Sequence, residues 1–367
     1  MEKIYFHAFN LVPHIGPKRI NKLLKYFGNL QSAWLADYAD LYQSGLENFV
    51  INKFLAIRKD INPEQEWNNI FQDIKVVTVE DSEYPKQLKE IASPPSILYV
   101  RGNEQVLKDD SIAIVGTRRM SAYGQRVCEQ LTKRLTQIDL TVISGLADGI
   151  DTQSHKTCLI NNGKTIAVLG SGINNNCVFP ANNRLLAERI AQSGGAIISE
   201  YPPHAKAQRQ FFPARNRIIS GLSLGTIVIE AANKSGALIT AYFALEQNKE
   251  VFAVPGSIFS SRSDGCHTLI KKGAKLVANI QDILEELPEK YRFNQSTGMP
   301  DNSMVSDLNS DEKIILHNIS SEPVHIDKII KSCRLSKSCA LSALTTLELK
   351  GLIKNIESNH YIIWQKI

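Results

Sequence analysis

The spacing of apolar positions changes along this chain and divides it into parts of different structural class. Over residues 1–72, apolar positions recur with a helical period, as in Ile20, Leu23 and Phe27, which predicts a small helical domain. Over residues 73–287, short runs rich in β-branched residues alternate with amphipathic stretches. This alternation predicts the α/β class, with an extended Rossmann-like, doubly wound and mostly parallel sheet.

The apolar runs and the stretches between them give the elements of this sheet domain. The predicted strands are Val76–Val79, Ile97–Val100, Ile112–Val115, Val142–Ser144, Ile166–Leu169, Ala196–Ser199, Ile227–Ile229 and Val251–Val254. The predicted helices include Ser121–Gln137, Asp148–Asn161, Asn182–Gln192 and Gly236–Gln247. Because parallel strands end at one edge of a sheet, the turns that follow them should converge there.

The last part of the chain differs again. Polar, irregular composition over residues 288–310 predicts a linker. After it, three short helical segments precede a pair of strands, an order that predicts a winged-helix domain over residues 311–367. The segments are helices Asp311–Ile319, Val324–Ser332 and Ser336–Lys350 and strands Leu352–Ile356 and His360–Trp364.

Composition narrows the class of protein without identifying a ligand. The net charge of +5 comes from 42 basic and 37 acidic residues, so the distribution of charge matters more than its total. Six cysteines are scattered with no C-x-x-C pair, which makes a disulfide scaffold or a zinc site improbable. No stretch approaches the roughly 18 apolar residues of a membrane span. We therefore expect a cytoplasmic protein with no metal, no cofactor and no membrane contact.

Glycine-rich turns follow two of the predicted strands. Gly116-Thr117-Arg118-Arg119 lies between a strand and a helix, where backbone amides form an anion site. The G-x-G-x-x-G fingerprint is absent, which disfavours a dinucleotide, and two arginines suit a bound phosphate such as a nucleic-acid backbone. Gly170 and Gly172 follow another strand at the same edge. Tight turning alone is an equally good explanation for that pair.

A basic segment with aromatic residues follows at 204–217. Its cations stand without any carboxylate and alternate with aromatic residues; they are Lys206, Arg209, Arg215 and Arg217, beside Phe211 and Phe212. Cations neutralise phosphates and aromatic rings stack on bases, which is typical of single-strand binding. The alternative is a solvated basic loop with phenylalanines in the core. We expect these arginines at a helix start near the edge that carries Arg118.

In these motifs the chain resembles the DprA/Smf family of DNA-processing proteins of natural transformation. The matching motifs are Val115–Arg118 with Tyr123-Gly124, Ser144–Asp151, Thr165–Gly170, Phe212–Leu222, Ser235–Ala241 and Val251–Gly256. The resemblance implies a non-catalytic protein that binds single-stranded DNA without sequence preference and protects incoming strands. It also implies loading of the RecA recombinase and a homodimer formed through the Rossmann-like domain. The flanking parts resemble a SAM-like or helix-hairpin-helix-like domain and a DML1-like winged helix.

Residue by residue, the resemblance implies a DNA site at the carboxyl edge of the sheet. Arg118 is the expected phosphate contact, Arg209 the basic position before the phenylalanine-proline pair, and Phe212 the stacking aromatic. In the glycine-rich turn the chain has Asn174 and Phe179, where the family often has aspartate and tyrosine. The expected DNA-binding residues are Gly116, Thr117, Arg118, Arg119, Gly170, Gly172, Lys206, Arg209, Phe211, Phe212, Arg215, Asn216 and Arg217. For the two arginines of Arg215-Asn216-Arg217, the resemblance leaves open which one binds DNA and which one holds the loop.

Two other functions stay open from the sequence. Gly225-Thr226 followed by Glu230 faintly resembles a nucleotide phosphoribohydrolase of the lysine-decarboxylase-like type, although the paired glycines of that group are missing. A capping or structural role for Glu230 is the other reading. A winged-helix transcription regulator is the second alternative. Its predicted recognition helix, Ser336–Lys350, begins without the arginine, asparagine or glutamine that usually read bases.

Overall fold

The structure is a computed structural model that describes residues 2–292, 308–319, 323–333, 335–356 and 359–363. The chain divides into two compact units, Met1–Tyr291 and Arg292–Ile367. The helical segment and the sheet, which were predicted from the sequence as separate domains, both belong to the first unit. Most of the predicted linker at 288–310 lies outside the described residues.

The helical segment is confirmed and packs directly on the sheet. Phe9, Trp34 and Phe54 form its aromatic centre, with ring centroids 5.0–5.2 Å apart. His7 reaches the sheet, where its Nδ1 lies 2.6 Å from the Tyr99 hydroxyl. Helices α1–α6 span Glu2–Leu11, Pro17–Phe27, Leu30–Leu35, Tyr38–Gln43, Asn48–Ile57 and Pro63–Asn68, and Arg58–Asp60 is a 3-10 turn.

A nine-stranded sheet forms the centre of the first unit, in the order β1-β2-β6-β5-β4-β3-β7-β8-β9. In this order, the seven neighbouring strands that begin with β6 and end with β9 run parallel to one another. Strand β1 pairs antiparallel with β2, and β2 pairs antiparallel with β6. The predicted mostly parallel, doubly wound fold is therefore confirmed. Strands β1–β9 span Ile74–Thr78, Ile97–Gly102, Ser111–Val115, Thr141–Ser144, Thr165–Val168, Ala196–Ser199, Gly225–Val228, Glu250–Ala253 and Lys275–Leu276.

Helices cover both faces of this sheet because its strands are apolar on both sides. Ile112 and Ile114 of β3 pack against one layer of helices, and Ala113 and Val115 against the other. Helices α7–α15 span Lys86–Lys89, Ala122–Gln137, Ile150–Ile160, Arg184–Gln192, Phe211–Leu222, Gly236–Glu246, Asp264–Lys271, Gln281–Leu284 and Glu289–Arg292. Shorter 3-10 turns span Glu104–Lys108, Asn175–Cys177 and Ala181–Asn183.

The second unit has the order of a winged helix, as predicted. Its elements are α16 (Ser310–Asn318), β10 (Val324–His325), α17 (Ile326–Cys333), α18 (Lys337–Leu349), β11 (Ile353–Asn355) and β12 (His360–Ile363). The prediction of helix from Val324 is wrong at its start, because Val324 and His325 pair with β12. Trp364, at the end of the predicted last strand, lies outside the described residues.

Candidate nucleic-acid interface

Four turns meet at the carboxyl edge of the parallel strands, and hydrogen bonds tie them together. The turn after β3 accepts at the Thr117 carbonyl from the Ile150 amide after β4, at 3.2 Å. The turn after β5 joins the loop after β6 through the Gly172 amide and the Ala205 carbonyl, at 2.7 Å. The edge is therefore one connected surface, built from segments that lie far apart in sequence.

The turn after β3 presents two exposed arginines beside the start of α8. Gly116 is in close contact with Ile150, because a Cβ at Gly116 would lie 2.6 Å from Ile150 Cγ1. Ser121 caps α8 by accepting a hydrogen bond from the Gly124 amide. Arg118 and Arg119 are both exposed, and in the described part of the chain neither forms an ion pair. Their guanidinium groups are therefore available to an anion at this edge.

Arg215 is expected from the sequence to contact DNA, but the structure places it inside the protein. Its side chain is only 4% exposed, and its Nη1 donates to the carbonyl oxygens of Gly145, at 2.7 Å, and Val168. Burial lowers its pKa to about 10, and the nearby carboxylate of Asp151 opposes that shift. At neutral pH the guanidinium keeps its charge. Arg215 therefore joins the ends of β4 and β5 and supports the surface from below.

Asp151 supplies the countercharge for Arg215. One oxygen of its buried carboxylate accepts hydrogen bonds from the Gly145 amide at 3.1 Å and the Ala147 amide at 3.4 Å. Burial raises the pKa of Asp151 to about 6, while the charge of Arg215 acts in the opposite direction. The bonds of Asp151 to the two amides and of Arg215 to the Gly145 carbonyl fix the turn after β4.

Asn216 and Arg217 are also engaged within the protein. Arg217 forms a two-pronged ion pair with Glu200, with Nη–Oε distances of 3.0 and 2.6 Å. Asn216 accepts from Arg215 Nε at 3.2 Å and donates to the Gly236 carbonyl at 3.3 Å. Glu200 lies four residues before the basic segment 204–217, so the acid-free composition of that segment does not reveal this pair. The contacts engage the polar ends of both side chains within the protein, and the expectation that these residues bind DNA stays a prediction.

Two aromatic rings border the same edge. Phe212 packs against the turn after β5, where a Cβ at Gly170 would lie 2.7 Å from its Cδ1. The ring of Phe179, 49% exposed, lies 5.5 Å from that of Phe212 at an interplanar angle of 50°. Phe211, in contrast, stacks on Tyr201 at 3.9 Å. Phe212 and Phe179 thus form an aromatic platform, whereas Phe211 is occupied by an internal contact.

Lys206 and Arg209 lie on the loop that leads into α11, and both are exposed. The loop is fastened to the turn after β5, where Asn174 Nδ2 lies 2.8 Å from His204 Nδ1. A Cβ at Gly172 would lie 2.2 Å from the Pro203 carbonyl oxygen, so this glycine permits the close approach. Asn174, which stands where the family often has aspartate, thus helps to hold the basic loop in place.

Sequence reasoning missed a further cation at this edge. Arg262, exposed in the segment after β8, donates from Nε to the Arg119 carbonyl oxygen at 2.9 Å. It follows a parallel strand, so the convergence of turns at one edge could have identified it. The exposed cations of this edge include Arg118, Arg119, Lys206, Arg209, Lys234 in the turn after β7, and Arg262.

The strand order reverses between β3 and β7, where ligands of this fold class usually bind, and Glu230 occupies that point. Its carboxylate accepts from the Ser121 amide at 2.9 Å and the Ser121 hydroxyl at 2.5 Å. A Cβ at Gly124 would lie 2.3 Å from Glu230 Oε2. The side chain therefore stabilises the start of α8 and sets a negative charge where a dinucleotide pyrophosphate would lie.

The described ranges show neither a membrane-spanning helix nor a cluster of metal ligands. No helix there combines the length and the apolar character needed to cross a bilayer. No group of three or more His, Cys, Asp or Glu side chains there is arranged to hold a metal ion.

Comparison with known proteins gives consistent matches along the chain. Residues 75–288 match the family described as DNA recombination-mediator protein A, and residues 300–357 match the DprA winged helix domain. Protein Smf of Synechocystis sp. is 34% identical, with 98% of each chain covered. DNA processing protein DprA of Bacillus subtilis is 45% identical, over 60% of this chain and 73% of that protein.

Solved structures agree with these matches. DNA processing protein A from Streptococcus pneumoniae superposes with a TM-score of 0.68 at 37% identity, covering 78% of this chain and 98% of that one. A structure of DNA processing protein A from Helicobacter pylori, described as showing a unique single-stranded DNA binding mode, gives a TM-score of 0.52 at 31% identity. It covers 58% of this chain and 94% of that one.

Proposed function

The chain belongs to the DNA recombination-mediator protein A family, and we propose that it binds single-stranded DNA without sequence preference at the carboxyl edge of its sheet. One observation carries this proposal: the exposed cations Arg118, Arg119, Lys206 and Arg209 lie on the same edge as the Phe212–Phe179 platform. Cations bind phosphates, and every base offers a face on which a ring can stack. Neither contact depends on base identity.

We infer that binding, and not catalysis, is the role of this edge. Asp151 is buried and bonded to the Gly145 and Ala147 amides, and Glu230 is bonded to Ser121, so both carboxylates are engaged within the protein instead of facing a substrate. The phosphoribohydrolase alternative predicts release of free base from nucleoside monophosphates. Chromatography of such a reaction tests it, and base release would contradict the non-catalytic proposal.

We also propose that the protein protects incoming single strands in the cytoplasm and loads the RecA recombinase on them, acting as a homodimer through its sheet domain. Its membership of a family described as recombination mediators supports this role. RecA-dependent ATP hydrolysis on strands coated with a single-strand-binding protein should begin sooner when the chain is added. Sedimentation equilibrium of the sheet domain measures the dimer. An unchanged lag before ATP hydrolysis would contradict the RecA-loading proposal. A monomer in the sedimentation measurement would contradict the homodimer proposal.

The DNA site is tested by replacing Arg118. Arg118→Ala should raise the Kd for a fluorescent oligothymidylate about 10- to 100-fold, because a charge-assisted contact to phosphate is lost. The salt dependence of log Kd should also weaken by about 0.7 for the lost phosphate contact. Anisotropy titrations at several salt concentrations measure both effects.

Arg189→Ala is the matched control for this measurement. Arg189 is exposed in the last turn of α10, which returns toward the amino edge of the sheet, so an equal charge is lost away from the proposed site. The control should bind as the native chain does. Unchanged binding by folded Arg118→Ala would rule out the proposed site.

The winged-helix domain supports a second candidate, recognition of a defined duplex. Lys337 is exposed at the start of α18 and can donate to a guanine edge, whereas Leu341, exposed on the same helix, offers only apolar contact. In a competition between a labelled single strand and unlabelled duplexes, we expect duplexes of any sequence to displace the strand poorly. Efficient displacement by one duplex sequence would favour the regulator.

A further inference from the structure

The segment between β8 and α13 carries a protruding apolar tip. Ile258 is 78% exposed and Phe259 is 94% exposed, which makes Phe259 the most exposed large apolar side chain among the residues that the structure describes. Exposing a phenyl ring to water is unfavourable compared with burying it, in proportion to its apolar surface area. Apolar side chains that stay exposed together often mark an interaction site.

Hydrogen bonds anchor the segment on both sides of the tip. On the side of β8, the Pro255 carbonyl accepts from the Tyr123 hydroxyl at 2.7 Å. On the side of α13, the Arg262 carbonyl accepts from the Ala231 amide at 2.7 Å. A turn bond of 3.0 Å from the Ser260 amide to the Ser257 carbonyl closes the tip itself. The fold therefore presents the Phe259 ring on an anchored support.

The segment that carries this ring also carries an exposed cation, Arg262. Arg262 is bonded through Nε to the Arg119 backbone, which places it next to the arginine pair of the turn after β3. Residues 254–263 contain no aspartate or glutamate, Asp264 is the first residue of α13, and no ion pair to Arg262 occurs in the described ranges. Cations gathered without carboxylates repel one another unless an anion binds.

We propose that this tip is a second contact site for single-stranded DNA, in which Phe259 stacks on a base and Arg262 binds a phosphate. The proposal rests on the proposed function and extends its site: the strand runs from the Phe212 platform past Arg118 and Arg119 to the tip. Proteins that bind single strands combine aromatic side chains, on which bases stack, with cations that bind the backbone, and this segment carries both. Serines border the two apolar side chains, so the tip offers a protein partner little apolar area.

A length series tests the proposal. With oligothymidylates of about 4 to 16 nucleotides, the affinity of the native chain should rise by a further step once the strand is long enough to reach the tip. Phe259→Ala should remove that step, raising the Kd for long oligonucleotides about 5- to 10-fold and leaving short ones unchanged. Arg262→Gln should weaken the salt dependence of log Kd by about 0.7 for long oligonucleotides only.

Three further variants make the comparison specific. Phe259→Trp should bind long oligonucleotides as the native chain does and show additional fluorescence quenching on binding, whereas Phe259→Leu, apolar without an aromatic face, should behave as Phe259→Ala. Ile160→Ala removes another exposed apolar side chain, 74% exposed at the end of α9, and should change nothing. Because Phe259 is exposed, its replacement should leave the fold intact, which circular dichroism verifies.

The outcomes separate this inference from the proposed function. If Arg118→Ala weakens binding at every length while the Phe259 and Arg262 variants bind as the native chain at every length, the tip is not a DNA contact and the first site stands. If Arg118→Ala has no effect, the proposed function fails. A shift of oligomeric state in Phe259→Ala with unchanged DNA affinity would also overturn the inference, in favour of a contact between copies.

Discussion

Arginines at the carboxyl edge of the sheet differ in burial, and burial separates their roles. Arg118 is exposed and lies outside every ion pair of the described residues, whereas Arg215 is buried and bonded to two carbonyl groups. A buried charge whose partner is removed is costly, while an exposed one is not. The same residue type thus serves binding at one position and folding at the other.

Replacing each arginine by alanine should expose this difference. Arg215→Ala leaves Asp151 without its countercharge and should lower the free energy of unfolding by about 3–5 kcal/mol. Arg118→Ala should change it by less than about 0.5 kcal/mol. Urea denaturation followed by circular dichroism measures both. A stability loss that is equal for the two variants would contradict the assignment of Arg215 to the interior.

The residue types of the site could be predicted from the sequence, but their exposure could not. Arg215 is bonded to carbonyls 70 and 47 positions away in the chain, and no local pattern contains that information. Arg217 pairs with Glu200, 17 positions upstream. Arg262 was missed because it stands alone in its segment. Charge composition identifies a basic segment, and only the packed fold shows which cations stay available to a ligand.

At the scale of elements, the turn after β5 and the start of α11 form the aromatic platform together. Gly170 lies against Phe212, and Gly145 lies against the buried Arg215 of the same helix. The absence of side chains in these turns lets α11 approach the strand ends. The position of Phe212 therefore depends on a glycine about 40 residues before it as well as on its own helix.

Adding one methyl group at this contact should move the platform. In Gly170→Ala, the new Cβ would lie 2.7 Å from Phe212 Cδ1, so the ring has to shift. We expect the Kd for oligothymidylates to rise about fivefold, which corresponds to the loss of about 1 kcal/mol of stacking. Gly236→Ala is the control, because its Cβ would meet nothing within 4 Å. Equal affinities of the two variants in anisotropy titrations would show that the platform does not bind DNA.

Long elements were predictable, and the shortest were not. Each of the eight predicted strands of the large sheet is present, because a continuous β-branched run has few other ways to be buried. Strands β9 and β10 have two residues each, too few for a period to be seen. Helix α11 begins at Phe211, although the arginines were expected at a helix start, since Phe211 and Phe212 pack into the fold as part of its first turn.

For the whole molecule, the distribution of charge is more informative than its total of +5. Residues 293–367 contain eight Lys and Arg and eight Asp and Glu, so residues 1–292 carry the entire net charge. The exposed cations of the carboxyl edge lie in that part. The winged-helix unit is electrically balanced, and it has its own hydrophobic core. We therefore expect the single-stranded DNA, a polyanion, to bind the first unit.

A chain that ends at Arg292 should retain the DNA affinity of the full chain. The cut keeps Tyr291, whose hydroxyl lies 3.0 Å from Asp110 Oδ2, and leaves the core of the first unit complete. With Arg118, Arg119, Lys206 and Arg209 on the phosphates of a strand too short to reach the tip, log Kd should vary with log salt with a slope of about 3 in both proteins. Because the removed part carries no net charge, long-range attraction should not change either. Titrations from low to high salt measure both slopes, and a markedly smaller slope in the shortened chain would mean that the winged helix contributes phosphate contacts of its own.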